Sequence, residues 1–150
     1  MDNFPKNEVL NEANFIFPDL EKERGEIERV AQKYSPQNPE AFVNTFYEKA
    51  RQANLINLNE ERWGALDNTD SFDIQHNGWE QVTEHINYTN KETGATRNWE
   101  DLKQKIEQGQ ELDAPIILNH AGEIHLVSGN TRLMVARALG KTPKVLVVEM

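Results

Sequence analysis

Three stretches in the N-terminal half of the chain carry apolar residues at the three- and four-residue spacing of amphipathic helices. The first covers residues 19–34 behind a capping Asp19, and the second covers residues 38–53, with Pro39 at the first helical position. A shorter helix is predicted over residues 59–66. Residues 1–18 show no regular period, and we expect a partly ordered arm whose Phe-Ile-Phe cluster docks on the body of the protein.

Two further helices are predicted around tryptophans in the middle of the chain. Residues 67–78 are rich in turn-forming residues and mark a candidate boundary. After them, residues 79–86 and 99–106 each place apolar side chains at i, i+3 and i+7, on one helix face. Asn98 is suited to cap the second of these helices, and Gly109 is suited to end it.

The C-terminal region alternates short apolar strands with one helix. The predicted elements are strands over 115–119 and 123–127, a helix over 130–139 and a strand over 144–149. The turn at residues 120–122 makes the first two strands a hairpin, and Gly140 ends the helix. Because a buried strand follows the helix, we predict a mixed sheet and an α+β fold. In this fold a mainly helical N-terminal half, residues 1–95, packs on a core formed by residues 96–150.

The sharpest functional signal is a small polar corner between the second strand and the C-terminal helix. It consists of Ser128, Gly129, Asn130, Thr131 and Arg132, which we call the 128–132 corner. Backbone amides at a helix N-terminus attract anions, a glycine lets the backbone approach a ligand, and an arginine can contact a phosphate through two nitrogens. The competing interpretation is an ordinary capped helix whose arginine is paired on the surface.

Several local sequence features occur in a characteristic order along the C-terminal third of the chain. They are the helix beginning at Trp99 and followed by Gly109, the Pro115-Ile-Ile-Leu strand, the strand-to-helix signature ending in G-x-x-R at Arg132, and a helix, glycine and buried strand thereafter. In this order, residues 99–148 resemble the ParB/sulfiredoxin-like fold family, over about a third of the chain. The resemblance supports the predicted α+β fold.

This resemblance implies nucleotide handling, with the 128–132 corner cradling the phosphates. Members of the family include CTP-binding partition proteins, ATP-using sulfinic acid reductases, a free-serine kinase and proteins labelled nucleases. Asn130 stands where the reductases have a catalytic cysteine, which argues against reductase activity. Leu133 stands where partition proteins commonly have a second arginine.

The kinase-like and nuclease-like members need acidic residues, and none can be aligned here, so no catalytic residue is assigned. Glu100, Asp101 and Glu123 are candidates for a place near the corner. His120 and His125 admit a metal or acid–base interpretation, but strand alternation favours a half-exposed structural histidine at position 125. No metal site is predicted.

Charge is unevenly distributed along the chain, whose net charge is -9. Residues 1–95 hold 9 basic and 18 acidic side chains, and 9 − 18 = -9, whereas residues 96–150 hold 7 of each. Duplex DNA binding by the isolated chain is therefore disfavoured, because such proteins carry a basic face. The acidic N-terminal helices are a candidate surface for a protein partner.

Other classes of protein are excluded by what the sequence lacks. There is no cysteine, and hence no disulfide, thiolate metal site or thiol nucleophile. The N-terminus lacks the basic and apolar regions of a signal peptide, and no apolar run reaches the roughly 18–20 residues that span a bilayer. We expect a cytoplasmic protein without membrane segments.

Two functional hypotheses follow. In the first, the protein binds a nucleotide or another phosphorylated small molecule at the 128–132 corner, with Mg²⁺ as a candidate cofactor if it performs phosphoryl or phosphodiester chemistry. In the second, it is a non-enzymatic regulator of the kind found on phages and plasmids. Such a regulator would use the fold as a scaffold and bind a protein through its acidic helices.

Overall fold

The computed structural model describes residues 12–150, which form six α-helices and two small β-sheets, a mixed α+β domain. The remainder of the predicted N-terminal arm, residues 1–11, lies outside the described residues. The elements are, in chain order, β1 (Phe15–Ile16), α1 (Arg24–Tyr34), α2 (Pro39–Gln52), β2 (Leu55–Asn57), α3 (Glu60–Gly64), α4 (Trp79–Thr93), α5 (Trp99–Glu107), β3 (Leu112–Asp113), β4 (Ile116–His120), β5 (Glu123–Ser128), α6 (Asn130–Leu139) and β6 (Lys144–Glu149).

The larger sheet has the strand order β2-β6-β4-β5. Strand β4 pairs antiparallel with β5 and parallel with β6, and β6 pairs antiparallel with β2, so the predicted mixed sheet is confirmed. The β4–β5 hairpin is also confirmed. Its two turn residues, Ala121 and Gly122, both have positive φ angles (51° and 94°), as a two-residue turn that follows the strand twist requires.

Helices cover both faces of this sheet. On one face, α1 and α2 bury the alternate residues Ile116 and Leu118 of β4, in a cluster that includes the fully buried Phe46. On the other face, Ile117 packs with Leu133 of α6 and with apolar residues from the α3 region. A second apolar cluster joins α4, α5 and α6, where Trp79 and Trp99 stack with ring centroids 4.9 Å apart. The two tryptophans therefore act as packing residues.

Local signals predict where the other helices begin, although α4 continues to Thr93, beyond its predicted end at residue 86. Asn38, Asn59 and Asn98 each accept a backbone hydrogen bond as the predicted caps of α2, α3 and α5. Helix α1 begins at Arg24, later than predicted. The reason is that the Asp19 carboxylate accepts from the Glu21 amide while the next residues make i→i+3 bonds, which form turns instead of a regular first helical turn.

Two pairings were not predicted from the sequence. Strand β2 adds an edge to the main sheet by pairing with β6, which places a strand inside the region predicted to be mainly helical. Strand β1 pairs parallel with β3 and buries Phe15, while Phe17 stays exposed, so docking of the aromatic cluster is confirmed for its first residue.

Across residues 12–150, no helix combines the length and apolar character needed to cross a membrane.

The packing makes a direct prediction about stability. Phe46 is fully buried among α1, α2 and the sheet. Phe46→Ala should lower the free energy of unfolding by about 3–5 kcal/mol, because it removes buried apolar area and leaves a cavity. Tyr88, 67% exposed on α4, is the matched aromatic control, and Tyr88→Ala should change the free energy by less than about 0.5 kcal/mol. Denaturant unfolding measures both values, and similar losses would contradict the assigned core.

Candidate functional site

The 128–132 corner is built around a glycine that no other residue can replace without strain. Gly129 has φ of 103° and lies between the end of β5 and the start of α6. A Cβ atom there would come within 2.5 Å of the Pro115 Cβ. Both the backbone angle and the contact with Pro115 therefore demand glycine, and they allow the chain to turn from strand to helix within one residue.

The first turn of α6 has no side-chain cap among residues 12–150. The side chain of Asn130, which follows Gly129, instead accepts a hydrogen bond from the Thr69 hydroxyl. The first amides of any α-helix lack intrahelical acceptors. At this corner their satisfaction is left to solvent or to a bound group.

Ser128 adds a second unsatisfied group at the same place. Its side chain lies at the end of β5, and the residue is only 8% exposed. Its Oγ has no hydrogen-bond partner among the described residues. A buried hydroxyl without a partner costs free energy, about 1–3 kcal/mol, so its presence calls for an explanation.

The corner opens into a cleft of about 550 Å³, which we call the corner cleft. Besides the corner itself, its lining contains Glu23, Glu26 and Arg29 at the start of α1, Asn68, Thr89, Arg97 and the β5 residues His125, Leu126 and Val127. The volume suits a small molecule. Of the charged side chains in the lining, three are arginines and two are glutamates.

Arg132 is less available than its position in the motif predicts. Its Nη1 donates to the main-chain carbonyl of Asp113, and its Nη2 lies 3.9 Å from Glu23 Oε1. The side chain is 18% exposed. Burial lowers the pKa of Arg132 below its ordinary value, while Glu23 and Asp113 act in the opposite direction. One edge of the guanidinium therefore ties the corner to β3, and only the other edge faces Glu23 and the cleft.

A hydrogen-bond network at the β5 edge borders the cleft. The side-chain amide of Asn68 bonds to the main chain of β5 in the way that a neighbouring strand would. Its Oδ1 accepts from the Leu126 amide at 2.7 Å, and its Nδ2 donates to the Leu126 carbonyl at 2.8 Å. The same Nδ2 lies 3.3 Å from His125 Nε2, and His125 Nδ1 lies 2.8 Å from Asp67 Oδ1. An amide NH₂ can only donate and a carboxylate can only accept, so Nε2 faces the Asn68 donor and Nδ1 faces the Asp67 acceptor.

His125 is therefore a buried residue, 6% exposed, and the prediction of a half-exposed histidine is wrong. Alternation along β5 correctly separated it from Ile124 and Leu126. The pattern could not predict which residues cover the His125 side chain. These are Tyr34 of α1, which packs edge-on against the ring, and Asp67, which lies 58 positions earlier in the chain.

The three candidate acids lie away from the corner cleft. Glu123 accepts from the Tyr34 hydroxyl at 2.5 Å and lies 3.7 Å from Lys33. Burial and the bond to Glu123 raise the pKa of Tyr34, so this hydroxyl stays protonated and keeps Glu123 engaged. Asp101 pairs with Lys105 at 3.0 Å, and Glu100 borders a separate cleft beside the α4–α5 loop.

The acids that do line the corner cleft are Glu23 and Glu26, which belong to the acidic helical region predicted as a candidate surface for a protein partner. Glu26 Oε1 accepts from Arg29 Nε at 2.8 Å. Within residues 12–150, no three histidine, aspartate or glutamate side chains converge to hold a metal ion. A cation in the cleft would therefore need oxygen ligands from a bound molecule as well.

Comparison of the chain with protein-family models, curated proteins and solved structures finds no match. Function is therefore inferred from the geometry of the corner cleft.

The Gly129 geometry is testable against a second glycine of the same conformation. Gly94, at the end of α4, also has positive φ, but a Cβ there would meet nothing within 4 Å. Gly94→Ala should cost about 1–2 kcal/mol from backbone strain alone. Gly129→Ala should cost that amount plus about 1–3 kcal/mol for overlap with Pro115, as measured by denaturant unfolding. Equal losses would show that the Pro115 contact is unimportant.

Proposed function

We propose that the protein binds a small phosphorylated ligand at the 128–132 corner. We further propose that it is a member of the ParB/sulfiredoxin-like family and that the ligand is of the nucleotide class. The observation that carries the binding proposal is the buried, unpartnered hydroxyl of Ser128 beside the uncapped start of α6. Within residues 12–150 these groups have no hydrogen-bond partner, and a phosphate offers several strong acceptor oxygens.

Electrostatics at the corner favour the same class of ligand. The N-terminus of α6 carries the positive end of the helix dipole, and α6 has no acidic residue in its first turn. Arg97 lines the cleft from the loop after α4, and its guanidinium has no ion-pair partner in the described part of the chain. It can move onto an anion without breaking an existing contact.

Binding is the part of the function that we propose, and no catalytic base is assigned. If turnover occurs, phosphoryl chemistry with Mg²⁺ is the natural class, since Mg²⁺ is commonly held by one or two carboxylates together with substrate phosphates. Glu23 and Glu26 are the carboxylates in the lining of the corner cleft.

The first test is a thermal-shift screen with inorganic phosphate, pyrophosphate and nucleoside mono-, di- and triphosphates, each with and without Mg²⁺. A ligand at 100 times its dissociation constant should add about 2.7 kcal/mol of stability, a shift of several degrees. If no compound shifts the melting temperature, the phosphate proposal is wrong. Partner binding through the acidic helices would then be the remaining hypothesis.

Ser128→Ala separates ligand binding from folding. Without ligand, the variant should be as stable as the wild type or more stable, because it removes an unpaired buried hydroxyl. Its affinity for the phosphate compound should fall roughly tenfold, the equivalent of one lost charge-assisted hydrogen bond. Calorimetry measures the affinity and thermal melting the stability. Unchanged affinity would exclude Ser128 from the site.

Arg97→Ala should also weaken binding several-fold without loss of stability, since its side chain is exposed and unpaired in the described structure. Arg62, an exposed arginine outside the corner cleft, provides the matched control. Equal effects of Arg97→Ala and Arg62→Ala on the dissociation constant would indicate nonspecific attraction to positive charge.

A further inference from the structure

The corner cleft contains a carboxylate whose charge is poorly compensated. The Glu23 side chain is only 17% exposed, yet residues 12–150 supply no hydrogen bond to its carboxylate. Its ion-pair partner is Arg132 Nη2, at 3.9 Å, beyond hydrogen-bond distance. A carboxylate with one long ion-pair contact can accept a further hydrogen bond from a cationic group.

This carboxylate also opposes the phosphate that the corner would bind. A phosphate taken up beside Arg132 would lie near Glu23, and like charges at such short range repel each other. Arg29, which shares the lining, is paired with Glu26 and does not compensate the charge of Glu23. A ligand that carries a positive group beside its phosphate avoids this repulsion.

From this arrangement we infer that Glu23 selects ligands that carry a positive group next to the phosphate. The inference rests on the proposed function, because it assigns the second half of the same ligand. Arg132 Nη2 and Glu23 Oε1 lie 3.9 Å apart. The anionic and cationic groups of the ligand must therefore be close neighbours. Two sources meet this requirement: an ammonium group two carbons from a phosphate ester, or a Mg²⁺ ion bound to the phosphate itself.

The charge balance of the cleft agrees with such a ligand. Its three arginines and two glutamates give 3 − 2 = +1. A bare triphosphate would greatly exceed this charge, whereas a phosphate monoester with an adjacent ammonium group, or a Mg²⁺ complex, comes close to matching it.

The test compares 2-aminoethyl phosphate with ethyl phosphate in EDTA by isothermal titration calorimetry. The two compounds share the phosphate ester and differ in the ammonium group. We expect the amine-bearing compound to bind roughly tenfold more tightly, the gain from one charge-assisted hydrogen bond in a partly buried site. A parallel arm measures ADP with and without Mg²⁺, and there the metal complex should bind more tightly. A preference in either arm identifies the source of the positive charge.

Glu23→Gln keeps the shape of the side chain and removes its charge. In this variant the preference should fall to about one, and ethyl phosphate should bind as well as or better than it does to the wild type, because the repulsion is gone. Glu28→Gln is the control: Glu28 lies on the same helix, pairs with Arg24 at 3.3 Å and is outside the corner cleft. It should leave the preference unchanged.

The outcomes separate this inference from the proposed function. If neither inorganic phosphate nor any ester binds, the function itself is wrong. If ethyl phosphate binds as tightly as 2-aminoethyl phosphate and Mg²⁺ does not strengthen ADP binding, the site exists and the role of Glu23 is wrong. A preference that survives in Glu23→Gln also overturns the inference, and the wild-type comparison decides the matter if that variant does not fold.

Discussion

The position of β4 between β5 and β6 is the constraint on which the corner depends. Strand β5 follows β4 through a tight hairpin, but β6 lies on the other side of β4 and parallel to it. The chain between β5 and β6 must therefore pass β4, and α6 makes that connection on one face of the sheet. Gly129 starts it against Pro115, at the base of β4. The uncapped helix start and the buried Ser128 are consequences of turning so sharply.

The opposite wall of the cleft comes from the N-terminal helices, so the site is assembled from distant parts of the chain. Helix α1 packs on the sheet face through Ile27 and its neighbours, which brings its first turn next to the corner. Asp113 holds both sides: its carboxylate accepts from the Asp19 amide before α1, and its carbonyl accepts from Arg132. Asp113 of β3 thereby sets the distance between the start of α1, which carries Glu23, and the 128–132 corner, which carries Arg132.

What could be predicted from the sequence follows the range of the interactions. Caps such as Asn38 and Asn98, the hairpin turn and the start of α6 depend on neighbours within a few residues, and their signals are local. Strand β2 is three residues long and exists because β6 pairs with it, so no periodicity marks it. The burial of His125 and the entry of Glu23 into the cleft likewise depend on partners far away in the chain, which a single sequence does not specify.

The arginine of the G-x-x-R signature has two roles that must be distinguished. Its bond to the Asp113 carbonyl is structural, because it provides a hydrogen-bond donor to this carbonyl at the end of β3 and orients the guanidinium. Loss of Arg132 would remove that support and also leave Glu23 without its nearest cation, so a truncation there would mix stability with affinity. Ser128 and Arg97 lack such ties within the described residues. In the proposed function, therefore, an anion is recognised by the groups that the fold leaves without partners, and Arg132 mainly fixes the geometry of the site.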